Sequence, residues 1–173
     1  MPPTPTPTPT PTPPPTTPPL TPEERRARNL GALRRYFALL AARDLDTWIG
    51  LWAEDCTQHV PYATGGLPAS LAGRDEIRAL YGDMAAGFTR LTFTRTEFHP
   101  LDDPDKVFAR WEPRCELVSG GVYSNESVGL FEFDAAGRIR HFTEYFDPAG
   151  LVERHDAFGP ERAVPGGGVT PGG

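Results

Sequence analysis

In the segment Phe142-Thr143-Glu144-Tyr145-Phe146 a glutamate stands between two phenylalanines at alternate positions, and no residue in the chain is better placed to move a proton. Extended backbone has a period of two, which sets Arg140, Phe142, Glu144 and Phe146 on one side and Ile139, His141, Thr143 and Tyr145 on the other. A carboxylate between aromatic rings on a pocket-facing strand sheds water, its pKa rises, and it can accept and donate a proton near neutral pH. Asn125 offers an inward hydrogen-bond partner for its neutral form, and Ser127 and Gly129 share the parity of Asn125. His59 is the second candidate: it alternates with Cys56, Gln58 and Val60, and with its ring turned inward it would supply an imidazole. Trp52, Tyr81 and Trp111 are candidate pocket walls, although aromatic residues at such spacing also serve as plain core. The histidines His59, His99, His141 and His155 contain no i, i+4 pair, and Cys56 and Cys115 join no short-spaced ligand set, so no metal site is expected.

Helices followed by strands must hold these groups. Thr21-Pro22-Glu23-Glu24 combines an N-cap, a proline in the first turn and a glutamate three residues after the cap, which starts a helix running to about Arg43. Asp46 is expected to cap a second helix whose Trp48, Ile49 and Trp52 point one way, and Gly73-Arg74-Asp75 opens a third that carries Tyr81. Residues 56–62 read as a short strand. Segments 90–99, 106–118, 122–134 and 138–146 read as an antiparallel meander, joined by Asp102-Asp103-Pro104-Asp105, Gly120-Gly121 and a turn ending at Gly137. Helices then strands imply an α+β architecture, with the helices on one face of a curved, mainly antiparallel sheet and a pocket between.

The chain has 173 residues and 21 prolines, 12 of them within residues 1–22, where Thr-Pro repeats. The repeat over residues 4–11 lacks apolar side chains and alternate amide donors, so a disordered tail is expected over 1–22, a single domain over 23–159, and a second disordered Gly/Pro-rich tail over 160–173. The net charge of −6 argues against binding nucleic acid through its phosphates. The longest apolar run, Tyr36 to Ala42, is too short to span a membrane, and the N-terminus has no signal-like apolar segment, so a cytoplasmic protein is expected. Both cysteines read as small buried thiols. Val128, Leu130, His141 and Tyr145 lie opposite the presumed cavity residues, and burying them in a homodimer would cover an apolar patch.

Four stretches, Leu51-Trp-Ala-Glu-Asp55, Gly73-Arg-Asp75, Asp102-Asp-Pro104 and Gly137-Arg-Ile-Arg-His-Phe-Thr-Glu-Tyr-Phe-Asp-Pro148, together resemble the SnoaL-like branch of the nuclear transport factor 2-like superfamily. Within it the chain looks most similar to the phenazine-biosynthesis A/B proteins. The resemblance implies a cone-shaped α+β barrel, a homodimer, and an open cavity that takes a small molecule without a cofactor. It also implies that Glu144 is the acid/base group, acting on a cyclic or aromatic intermediate in a condensation, isomerisation or cyclisation of secondary metabolism. The family's histidine on the third helix falls at Leu80, which joins the pocket set. An alternative follows from that departure: a non-catalytic dimeric binding protein with a degenerate site.

Overall fold

The computed structural model describes residues 18–64 and 66–147. The expectations for 1–17 and for 148–173, including His155, the end of the domain and the C-terminal tail, lie outside the described residues. Helix α1 spans Pro22–Ala42; the Thr21 side chain accepts from the Glu24 amide at 3.2 Å, and the Glu24 carboxylate accepts from the Thr21 amide at 2.8 Å. Its buried face carries Leu33, Tyr36, Phe37 and Leu40, and it ends at Arg43 with φ 60°. Asn29 is also buried, donating to the Pro104 carbonyl at 3.0 Å, while Arg25 pairs with Asp105 at 2.8 Å. The first helix is thus tied to the turn 101–105.

Helix α2, Leu45–Ile49, is shorter than expected and is capped by Asp44 rather than Asp46. Trp52 is not on it. Leu51 accepts a backbone hydrogen bond from Ile139 at 2.8 Å, and this capture by the last strand makes Trp52 the first residue of β1, Trp52–His59. A short strand β2, Ser70–Ala72, leads into α3, Gly73–Ala86. The meander follows as β3, Phe88–Pro100, and β4, Lys106–Leu117, then β5, Val122–Ser124, β6, Ser127–Phe133, and β7, Ile139–Phe146. The segment expected as one strand over 122–134 is therefore broken at Asn125-Glu126.

The strands form one sheet in the order β2-β1-β7-β6-β4-β3, with β5 beside β4. Every pairing is antiparallel except β1 with β7. The architecture is α+β, as expected, with the N-terminal helices on one face of a curved sheet. Among the described residues the sheet does not close into a full barrel: β2 and β3 remain edges, and α3 packs against β1, β2 and β3, bridging the two ends.

Packing fixes the sheet's inner surface. Phe131 and Phe142 are fully buried and stack with ring centroids 4.1 Å apart, an arrangement that Gly129 makes possible. A Cβ at Gly129 would stand 2.6 Å from Phe142 Cε2 and 2.9 Å from the Thr143 carbonyl. Strict alternation fails at the start of β7. The register shifts between Glu132 and Phe133, so Ile139 is buried and Arg140 turns outward to Glu132 at 3.8 Å. Arg140 therefore does not share the face of Phe142 and Glu144.

Candidate functional site

Between the helices and the sheet lies an apolar cavity of about 130 Å³. An apolar cavity of roughly 150 Å³ accepts benzene, so the volume suits one ring. Strand β7 places Glu144 in its wall, directly across from Gly129 on β6, where no side chain intervenes. Parallel pairing with β1 brings up Gln58, whose Nε2 donates to Glu144 Oε2 at 3.2 Å and to the Tyr81 hydroxyl on α3 at 3.2 Å. Tyr81 Oη is in turn 3.2 Å from Tyr36 Oη on α1. Four side chains from α1, β1, α3 and β7 thus form one polar string along an otherwise apolar hollow.

Burial drives the electrostatics. Glu144 is surrounded by protein, its remaining surface faces the hollow, and loss of hydration pushes its pKa up to about 7, against the smaller opposing effect of the Gln58 hydrogen bond. Burial lifts the hydroxyls of Tyr36 and Tyr81 far above their ordinary range, and the nearby Glu144 charge adds to the rise, so both stay protonated at any physiological pH. Burial also pushes the Cys115 thiol, another wall residue, up to about 11. Among the described residues, the cavity therefore holds one group that changes charge near neutrality.

Of the residues singled out in the sequence, Glu144, Phe146, Ser127, Trp111, Tyr81 and Leu80 line this cavity. Phe142 and Trp52 do not: both are fully buried in the core behind it, Phe142 on Phe131 and Trp52 against Trp48 at 5.5 Å. Asn125 is also elsewhere. The break between β5 and β6 takes it out of the strand alternation, and its Nδ2 donates to Tyr123 Oη at 2.5 Å and to the Asp147 carbonyl at 2.9 Å. The inward partner of Glu144 is Gln58 instead. His59 points away from the cavity, exposed, with Nδ1 at 2.9 Å from the Ala69 carbonyl and 3.2 Å from Ser70 Oγ. The neighbouring positions Cys56, Gln58 and Val60 are the buried ones, so the expectation of a catalytic His59 is corrected by the strand's own alternation. His141 lies on the outer side, bridging Thr57 Oγ1 at 2.6 Å and Thr143 Oγ1 at 3.1 Å.

Gln58, Tyr36 and Arg43 are wall residues that the sequence reading did not select. Gln58 carried a visible signal, since a polar side chain stood in the inward set with Cys56 and Val60. Tyr36 read as one more apolar residue of the helix, and Arg43 as its end. Among the described residues no group of three or more His, Cys, Asp or Glu could hold a metal ion, and no helix is long and apolar enough to cross a membrane.

Residues 33–142 match the family model described as the SnoaL-like domain. The uncharacterized protein YesE of Bacillus subtilis is 26% identical over 128 residues, which cover 73% of this chain and 84% of that protein. A solved Bacillus subtilis candidate isomerase superposes with a TM-score of 0.70 at 23% identity, covering 77% of this chain and 96% of that one. A phenazine biosynthesis-related protein from Pseudomonas aeruginosa gives a TM-score of 0.67 at 18% identity, covering 83% and 91% respectively. At these identities the two structural likenesses speak for a shared fold. With the family model spanning most of the described residues and the helices seated on an open, curved sheet, the chain belongs to the SnoaL-like family of the nuclear transport factor 2-like superfamily.

Proposed function

We propose that this protein is a small enzyme that moves a proton on a cyclic or aromatic intermediate, with Glu144 as general base and general acid. One observation carries the reading: among the described residues a single carboxylate, with a pKa of about 7, stands in the wall of an apolar cavity sized for a ring. Near neutral pH such a group is about half ionised, so it can take a proton from carbon or nitrogen and return it to a neighbouring atom without help from solvent. Trp111, Phe146 and Leu80 offer flat and aliphatic surface for the ring. Tyr36 and Tyr81, kept protonated by burial, supply hydroxyls for a ligand oxygen that gains negative charge as the proton leaves. Isomerisation, cyclisation and imine condensation all use this step. The likeness to a candidate isomerase and to a phenazine biosynthesis-related protein fits that range.

Glu144→Gln keeps the size and the hydrogen-bonding outline of the side chain and removes the transferable proton. Assayed against a panel of cyclic enones and amino-ketones, the variant is expected to lose about 10²–10⁴-fold in turnover while still binding ligand. Unchanged turnover would refute the assignment. A second reading draws on Leu80, which occupies the wall where the resemblance to the phenazine-biosynthesis A/B proteins implies a histidine: a binding protein that keeps the cavity without the reaction. It predicts tight binding of such rings with no turnover by either form.

A further inference from the structure

Gln58 is 2% exposed, and its amide is used unevenly. The nitrogen serves both Tyr81 and Glu144 at 3.2 Å, whereas Oε1 is buried and has no hydrogen-bond partner among the described residues. Leaving an acceptor unpaired away from water is costly, so this orientation needs a reason. The ionised Glu144 supplies it, because a charge-assisted N–H···O⁻ bond is about twice as strong as a neutral one. Once the carboxylate is protonated that reason is gone, and a proton on Oε2 would face another donor.

We propose that Gln58 is the positioning residue of Glu144 and that its amide turns over with the carboxyl's proton, presenting Nε2 to the carboxylate and Oε1 to the carboxylic acid. The inference rests on the acid/base reading of Glu144 and deepens it. Rotation by half a turn about the terminal torsion, which is broad and roughly two-fold, exchanges oxygen and nitrogen in nearly the same places. Oε1 then accepts from the Glu144 hydroxyl and from the Tyr81 hydroxyl. Either orientation leaves one end of the amide without a hydrogen bond, so the state of the carboxyl decides between them. Tyr81 changes from acceptor to donor in the same event and passes the reversal to Tyr36, 3.2 Å further on. A proton gained at β7 is thereby registered at α1.

The titratable groups sharing this hollow are Tyr36 of α1, Arg43 at its end, Tyr81 of α3, Cys115 of β4 and Tyr123 of β5. Burial raises the three tyrosine hydroxyls and the thiol above their ordinary ranges, so none of these four changes state with Glu144.

The test is NMR of the full chain without ligand, so that a protein inactive in every assay would still give a result. The carbon-13 shift of the Glu144 carboxyl is followed from pH 5 to 9 beside the side-chain amide signals of Gln58. The expected result is one shared midpoint, with contacts from the Gln58 amide protons to the Tyr81 ring present above it and lost below it. Glu144→Gln should abolish the change. Gln58→Met should move the Glu144 midpoint upward by about half a pH unit to one unit, because the charge-assisted bond lost from the carboxylate is about twice as strong as the neutral bond lost from the acid. Amide contacts that persist on both sides of the midpoint, a change that survives in Glu144→Gln, or an unmoved midpoint in Gln58→Met would overturn the proposal. Should Gln58→Met fail to fold, the wild-type and Glu144→Gln spectra decide it alone.

Discussion

Replacing Glu144 by glutamine should stabilise the protein at alkaline pH and give no such advantage in acid. In the unfolded chain this carboxyl titrates near its ordinary value of 4.5, whereas in the native state it titrates at about 7. Between those values the native protein holds a proton that the unfolded chain releases, so unfolding gives up protons and stability falls as pH rises. Below pH 4.5 both states are protonated and nothing is lost; above about 7 both are ionised and the loss is complete. A rise of that size corresponds to at most about 3 kcal/mol, reduced by whatever water occupies the hollow beside the carboxylate. The amide introduced by Glu144→Gln carries no charge at any pH, so the variant is free of this slope. Guanidinium chloride unfolding of both proteins at intervals from pH 4 to 9 gives the difference directly. The expected curve is flat below 4.5, tilts in favour of the variant through neutrality, and levels off above about 8. Parallel pH profiles for the two proteins would refute the claim that burial, rather than an unnoticed partner, sets the carboxyl's affinity for its proton.

Gly129→Ala should cost about 1–3 kcal/mol, because its new methyl group meets the Phe142 ring and a backbone carbonyl that cannot withdraw; calorimetry should show a melting point lower by about 5 °C or more. His59→Ala should leave ring binding and turnover as they are, since the imidazole bonds to Ala69 and Ser70 outside the cavity. A loss comparable to that of Glu144→Gln would contradict this placement. We expect a dimer formed by the outer face that carries Tyr145 and Phe108, both more than a third exposed, with Val128 and Leu130 beside them. Tyr145→Glu should shift sedimentation from dimer to monomer, and a wild type that sediments as a monomer at micromolar concentration would refute it.

The start of α1 was legible because its signal is local: the capping box of Thr21 and Glu24 satisfies donors within one turn and needs nothing from the rest of the chain. The same holds for the Gly120-Gly121 link, where both residues have φ near 90°, and for the meander that it helps to order. What escaped the sequence was set by partners distant along it. Trp52 left its helix because Leu51 is captured by Ile139 on the far strand. Arg140 left the face of Glu144 because a register shift against β6 interrupted a period of two that, read alone, looks unbroken. Asn125 was misplaced because a break between two strands leaves no mark on apolar alternation. Glu144 itself was readable from the rings on either side. Its partner was not, because choosing Gln58 over Asn125 requires knowing that β1 and β7 lie side by side.

That pairing has a consequence for the order in which the molecule is made. Gln58 and Glu144 are 86 residues apart, and a parallel pair cannot be closed by a hairpin, whereas β3 with β4 and β6 with β7 can form as soon as their own turns exist. The contact that completes the polar string is thus among the last to form, because it must wait for the longest loop in the sheet to close. During synthesis β7 emerges after every other described element, and until it does β1 is a bare edge with Trp52 and Gln58 uncovered. A nascent or prematurely terminated chain is therefore more than an inactive one: it displays an unpaired strand to its neighbours, the kind of surface that chaperones hold and aggregates recruit.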